Sequence, residues 1–205
     1  MELKKIPCPL CSGLRAKELV RCRIEERDSA LAARTSALVS KCLDLIICPT
    51  CSLVYLNPMP VLTPEEEKEN YGEKYFQADY MRFYYENKEG SACQSNEDFS
   101  YRLKIISRFA KPGKLLDVGC ATGGFMSAAQ QKGWQVWGVE ISALVADVAR
   151  KQLGDAVFRG TLAEANFEPG LFDCACLGDI LEHAADPASF LAQVSRVLKP
   201  GGLLY

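Results

Sequence analysis

Apolar residues in the second half of this chain fall into short runs of strand length, separated by stretches in which they recur every three or four positions. That alternation predicts buried parallel strands joined by helices. Strands are expected at residues 115–118, 134–140, 156–159 and 172–177, with a fifth just entered at 202–205. The connecting helices read as 122–132, closed by Gly133, and a second running to Leu153, with Ser142 as its cap and Gly154 closing it. Asp186 and Pro187 then form an N-cap and N1 pair that starts a helix ending before Lys199. A further helix over residues 97–110 puts Phe99, Leu103, Ile106 and Phe109 on one face.

The first half patterns differently. A strand is expected over residues 17–24, a helical piece over 29–39, and a strand-like run over 43–55 that meets a stop at Asn57-Pro58-Met59-Pro60. Thr63, Pro64 and Glu66 then fit the N-cap, N1 and N3 positions of a capping box. These breaks divide the chain into a small module at 1–60, a helical and aromatic-rich linker or lid at 61–100, and an α/β core at 101–205. Tyr71, Tyr75, Phe76, Tyr80, Phe83, Tyr84 and Tyr85 crowd the linker. They read first as packing between module and core, with a lid over a substrate as the alternative.

Chemistry concentrates where the first core strand ends. Leu115-Leu116-Asp117-Val118-Gly119-Cys120-Ala121-Thr122-Gly123-Gly124 is an apolar run, a carboxylate and a glycine-rich turn, the form in which a doubly wound sheet opens onto a ligand crevice. A dinucleotide fingerprint needs G-x-G-x-x-G and a pyrophosphate at the helix N-terminus. Here Cys120 and Ala121 interrupt the glycines, and an acidic residue before the turn repels phosphate. The turn suits a cationic ligand. Glu140 follows Asp117 by 23 residues, at the tip of the second strand, where a carboxylate can hold a ribose diol. The neighbouring Ile141 can pack on an adenine face.

Cysteine placement changes the picture of the first module. Of ten cysteines, Cys8, Cys11, Cys48 and Cys51 form two C-x-x-C pairs, the spacing of a closed tetrahedral Zn²⁺ site with a structural role. The other six read as mostly structural, since free cysteine packs as a small hydrophobe. A net charge of −2 argues against a nucleic-acid partner. No signal peptide or membrane span is visible, so a cytoplasmic protein is expected. Oligomeric state is left open.

Together these motifs resemble class I S-adenosylmethionine-dependent methyltransferases that carry an N-terminal zinc-ribbon-like module, similar to ubiquinone-pathway and sugar methyltransferases. Asp117, Gly119 and Gly123 match three of four positions of the family's first motif, with Ala121 in place of the middle glycine. Gly178-Asp179-Ile180-Leu181-Glu182-His183, followed by Asp186-Pro187, looks like its post-strand signature. Leu198-Lys199-Pro200-Gly201-Gly202 matches its turn into strand five. The resemblance implies a Rossmann-like doubly wound parallel sheet, truncated at the fifth strand, behind a zinc-ribbon-like module. It also implies a cofactor site of Arg102, Asp117, Gly119, Cys120, Ala121, Gly123, Glu140, Ile141, Thr161, Leu162 and Asp179. Arg102 would grip the cofactor carboxylate, with a solvated helix arginine as the alternative. Asp117 and Asp179 would hold its ammonium.

The implied reaction is methyl transfer from S-adenosylmethionine to a small-molecule, sugar or lipid-precursor acceptor. Asp179 and His183 are the candidate catalytic pair. The competing role for His183 and Glu182 is to anchor the next helix. Two other readings compete: a zinc-containing rRNA base methyltransferase and a non-catalytic cofactor-binding interaction module. Because the family's sheet continues past its fifth strand, the 205 residues are expected to be a portion of a longer protein, with much of the acceptor pocket elsewhere.

Overall fold

A computed structural model describes residues 2–22, 43–61, 91–184 and 186–205. The chain divides into two compact units, Met1–Glu67 and Lys68–Tyr205. The expected helical piece at 29–39, the capping box at Thr63 and the aromatic run from Tyr71 to Tyr85 lie outside the described residues.

The first unit contains two small antiparallel sheets. In one, β2 (Lys17–Cys22), β3 (Leu43–Ile47) and β4 (Val54–Leu56) run in sequence order. In the other, β1 (Glu2–Lys4) pairs with β5 (Met59–Val61), Leu3 standing opposite Pro60. The Asn57–Met59 break is therefore a corner rather than a stop. A two-stranded ribbon is all edge, so proline's missing N–H is tolerated there. Asn57 fastens the corner: its side chain accepts from Ile6 N and donates to Ile6 O, both at 3.1 Å, while its own N–H reaches Asp44 O. The expected run at 43–55 is likewise two strands, interrupted by the turn at Cys48. Cys8, Ile46, Cys48 and Tyr55 form the unit's buried cluster.

The second unit opens with α1 (Ser91–Ile106) and continues β6 (Lys114–Val118), α2 (Gly124–Gln131), β7 (Gln135–Glu140), α3 (Ala143–Leu153), β8 (Val157–Arg159), β9 (Phe172–Cys176), α4 (Pro187–Val197) and β10 (Leu198–Leu204). All five strands are parallel, in the order β10-β9-β6-β7-β8. The chain starts in the middle, winds outward to β8, then returns past β6 to β9. The crevice of such a sheet lies where that direction reverses, between β6 and β9. β6, with Leu115 and Leu116 fully buried, is covered on both faces, as a central parallel strand must be.

Helix boundaries follow local chemistry. Asp186 caps α4 by accepting from Ser189 N at 3.0 Å, with Pro187 at the first helical position. α2 begins only at Gly124, two residues later than the periodicity suggests, because Gly123 is left-handed (φ 82°). α1 ends at Ile106, short of the expected residue 110, and Phe109 is exposed rather than on the buried face. Ser142 stands at the start of α3 but makes no side-chain cap there. On β10, Leu198 pairs with Phe172 and Leu203 with Cys174, so the segment between them bulges out of register, with Gly201 at φ 76°.

Candidate cofactor and metal sites

Asp117 ends a strand whose neighbours are both paired, so its carboxylate is carried into the interior (6% exposed). Among the described residues no hydrogen bond to it is present. Burial pushes its acid strength down, to a pKa of about 7; the Arg102 guanidinium opposes this and Glu140 adds to it. A desolvated carboxylate without donors at the tip of a central strand can receive a cation.

The turn after it is a close backbone loop. Gly119 N and Cys120 N both donate to Val139 O on β7, at 2.8 and 3.1 Å. Gly119 takes φ 74°, and a Cβ there would collide with the Ile180 side chain. Ala121 also stands in the left-handed region, at φ 48°, the position where the resembling family has glycine. Cys120 contributes backbone only, because its side chain is buried against Gly138 and Met126 in the core.

Glu140 organises this turn from the adjacent strand. One carboxylate oxygen accepts from Ala121 N at 3.0 Å and the other from Ser142 N at 2.8 Å. Burial raises its pKa, and the N–H groups of Ser142, Ala121 and Ile141 counter that. Each oxygen keeps a lone pair for a ligand hydroxyl. Ile141 beside it is 64% exposed, an apolar face at the crevice edge.

Arg102 reaches the crevice mouth from α1. Its Nε lies 2.8 Å from Asp98 and its Nη2 3.4 Å from Asp179, whose side chain is 82% exposed. Asp179 itself is left-handed, at φ 56°. The structure thus gathers Arg102, Asp117, Asp179, Glu140 and the glycine turn. It treats Thr161 and Leu162 differently: Leu162 is buried in the core, and Thr161 is engaged with Glu164. Thr161 N and Oγ1 both donate to Glu164 Oε2, at 2.7 and 2.8 Å, while Glu164 N donates to Thr161 Oγ1 at 3.2 Å. That is a reciprocal capping box, T-x-x-E, legible in the sequence though absent from the expected set. His183 lies on an exposed 3₁₀ turn, its N–H donating to Ile180 O. Asp98 is a further crevice residue that sequence patterning did not single out, and Gly178 and Ile180 stood in the post-strand signature without a role of their own.

In the first unit the two C-x-x-C turns are near copies. Cys8 N donates to Gly13 O and Ser12 N to Cys8 O; Cys48 N donates to Leu53 O and Ser52 N to Cys48 O. Ser12 and Ser52 both take positive φ, 58° and 63°, where such turns favour glycine. All four Sγ atoms lie within 4.8 Å of one another, with Cys8–Cys51 and Cys11–Cys48 at 3.5 Å. Backbone N–H groups, that of Cys51 foremost, bring the Cys48 thiol down to about 6 against desolvation. The set has the number, type and clustering of donors that hold a metal ion.

Comparison with known proteins agrees with this geometry. A family model described as a methyltransferase domain matches residues 116–205. The ubiquinone biosynthesis O-methyltransferase of Pseudomonas aeruginosa is 38% identical over 98 residues, covering 45% of this chain and 42% of that protein. An uncharacterized 37.1 kDa protein in transposon TN4556 of Streptomyces fradiae is 36% identical over 114 residues, 51% of this chain and 33% of its own. The chain therefore spans less than half the length of these curated relatives. Among solved structures, the PH0226 protein of Pyrococcus horikoshii OT3 superposes with a TM-score of 0.54 at 25% identity, over 64% of this chain and 61% of its own. Residues 116–205 thus match a methyltransferase domain, and the parallel sheet that carries the strand-end carboxylates has the Rossmann-like fold of class I S-adenosylmethionine-dependent methyltransferases.

Proposed function

We propose that the full protein transfers the methyl group of S-adenosylmethionine to a small-molecule, sugar or lipid-precursor acceptor, and that the four-cysteine module holds a structural Zn²⁺. The observation that carries the cofactor reading is Asp117: a buried carboxylate with no donor of its own, at the point where the sheet changes direction. Sulfonium cofactors supply an electrophilic methyl group, and the protein's share is to hold donor and acceptor in line and exclude water. Asp117 and Asp179 meet the ammonium of the methionine end, Arg102 its carboxylate, and Glu140 the ribose hydroxyls. Ile141 covers one adenine face, and the backbone at residues 160–162 reads the base edge.

The small-molecule acceptor is supported by relatives named for ubiquinone biosynthesis. If the acceptor atom bears a proton, His183 and Asp179 are the groups placed to take it. Zinc fits the cysteine site because four Zn–S bonds of about 2.3 Å set sulfur–sulfur edges of about 3.8 Å, close to the separations observed. Calorimetry of the full-length protein with S-adenosylhomocysteine and with NADH tests the reading. Micromolar binding of the first alone is expected; avid binding of NADH with none of the homocysteine compound would overturn it.

A further inference from the structure

An arginine side chain has several rotatable bonds, and fixing one across a crevice costs conformational entropy that specific contacts must offset. Arg102 comes from α1, whereas the carboxylates it serves stand at the ends of β6 and β9. Two neighbours constrain it. Asp98, four residues earlier on α1, lies 2.8 Å from Nε and so engages the edge of the guanidinium nearest the helix. Gly178 presses on the other side: a Cβ at this residue would run into Arg102 Nη1. Nothing in the backbone conformation there demands glycine, since Gly178 is not in the positive-φ region.

We infer that Asp98 is a positioning residue that aims Arg102 at the carboxylate of the cofactor's amino-acid end, and that Gly178 stays without a side chain to leave the guanidinium its place. The inference rests on the cofactor reading above. With Nε held by Asp98, the two Nη groups remain for bidentate pairing with a carboxylate. The contact that must yield is the weaker one, Nη2 to Asp179 at 3.4 Å, on a largely exposed side chain. An incoming zwitterion exchanges that pair for two: its carboxylate takes Arg102, and its ammonium takes the released Asp179 together with Asp117. No charge is left alone in the exchange, so the crevice admits an amino-acid end without stranding Arg102 or Asp179.

Two ligands sharing adenosine separate positioning from general stability. S-adenosylhomocysteine carries the amino-acid end, and 5′-methylthioadenosine lacks it. In calorimetry on the full-length protein, Asp98→Asn is expected to weaken S-adenosylhomocysteine binding by roughly fivefold, the upper range for a partly exposed ion pair. Binding of 5′-methylthioadenosine should be unchanged, and Asp98→Glu should restore most of the loss. Gly178→Ala, which displaces the guanidinium directly, should show the same selectivity with a larger effect. Equal losses for both ligands would mean that Asp98 merely supports the fold. Unchanged or tighter S-adenosylhomocysteine binding in Asp98→Asn would mean that its charge only competes with the carboxylate; either result overturns the inference. A wild-type protein that binds neither adenosine compound would instead overturn the cofactor reading itself.

Discussion

Asp117 shows how a single residue carries both function and cost. Its folded pKa of about 7 stands well above the ordinary carboxylate value of 3.8, so the fold favours the protonated form. Stability from this group is fully present below about pH 4 and is lost progressively as pH rises toward 7, above which the penalty is constant. That displacement of the pKa corresponds to on the order of 4 kcal/mol. Asp117→Asn should therefore flatten that part of the pH–stability curve and raise the ligand-free stability near pH 8, as urea titrations of the two proteins would show. The same variant should lose S-adenosylhomocysteine binding, which in the wild type should tighten between pH 6 and pH 8 as the carboxylate ionises. Ala121 is the second residue whose cost is visible: at φ 48° an L-residue is strained by about 1 kcal/mol or more. Ala121→Gly should stabilise the protein by up to about 1 kcal/mol and leave ligand binding intact, measured by denaturant midpoint and calorimetry. The carboxylates were legible in the sequence because a strand-end acid is marked by the apolar run before it. Their partners were not. Asp98 is an ordinary polar residue on α1 by pattern, and only the closure of the helix over the β6–β9 crevice brings it into the site.

Elements were legible where period, cap and breaker agreed. α4 is the clearest case: Asp186, Pro187 and the break at Lys199-Pro200 all point to one helix, and the structure has it, with Val194 and Val197 buried. Replacing Asp186 with alanine should cost about 1 kcal/mol, the usual worth of an N-cap, read as a shift in urea midpoint with unchanged slope. Prediction failed where a tertiary partner decides. β1 and β5 are three residues each, too short for any period to show, and they exist because they pair with each other. α1 was expected to reach residue 110, but the chain tightens after Ile106 through Arg108 N to Ile105 O and Phe109 N to Ile106 O. The turn toward β6 carries Phe109 into solvent. The Thr161–Glu164 box was a local signal passed over, and it explains why the Thr161 hydroxyl is not available to a base edge. It also turns Leu162 into the core, so this segment offers a ligand its main chain.

At the scale of the whole molecule, the two units differ in what can hold them together. The second has two buried clusters spread over both faces of its sheet, with Leu115, Leu116, Met126, Val145, Phe172, Val194 and Val197 fully enclosed. The first has, among the described residues, a cluster of Cys8, Ile46, Cys48 and Tyr55. Two of those four are among the thiols gathered at the C-x-x-C turns. Small modules with few enclosed apolar residues commonly depend on a metal or disulfides for their stability. Disulfides do not supply it, because all four cysteines are free. The proposed zinc would supply it, since binding of the ion to four thiolates is itself folding free energy, on the order of 10 kcal/mol or more. Native mass spectrometry of the full-length protein should accordingly find one zinc ion per chain, and Cys48→Ser should remove it. Amide exchange should then show β3 and β4 losing protection in that variant, while β6 and β7, whose strands pair without any metal, keep theirs. Retained protection of β3 and β4 in a zinc-free Cys48→Ser protein would show that the antiparallel strands hold the module unaided and that the four thiols serve some other chemistry.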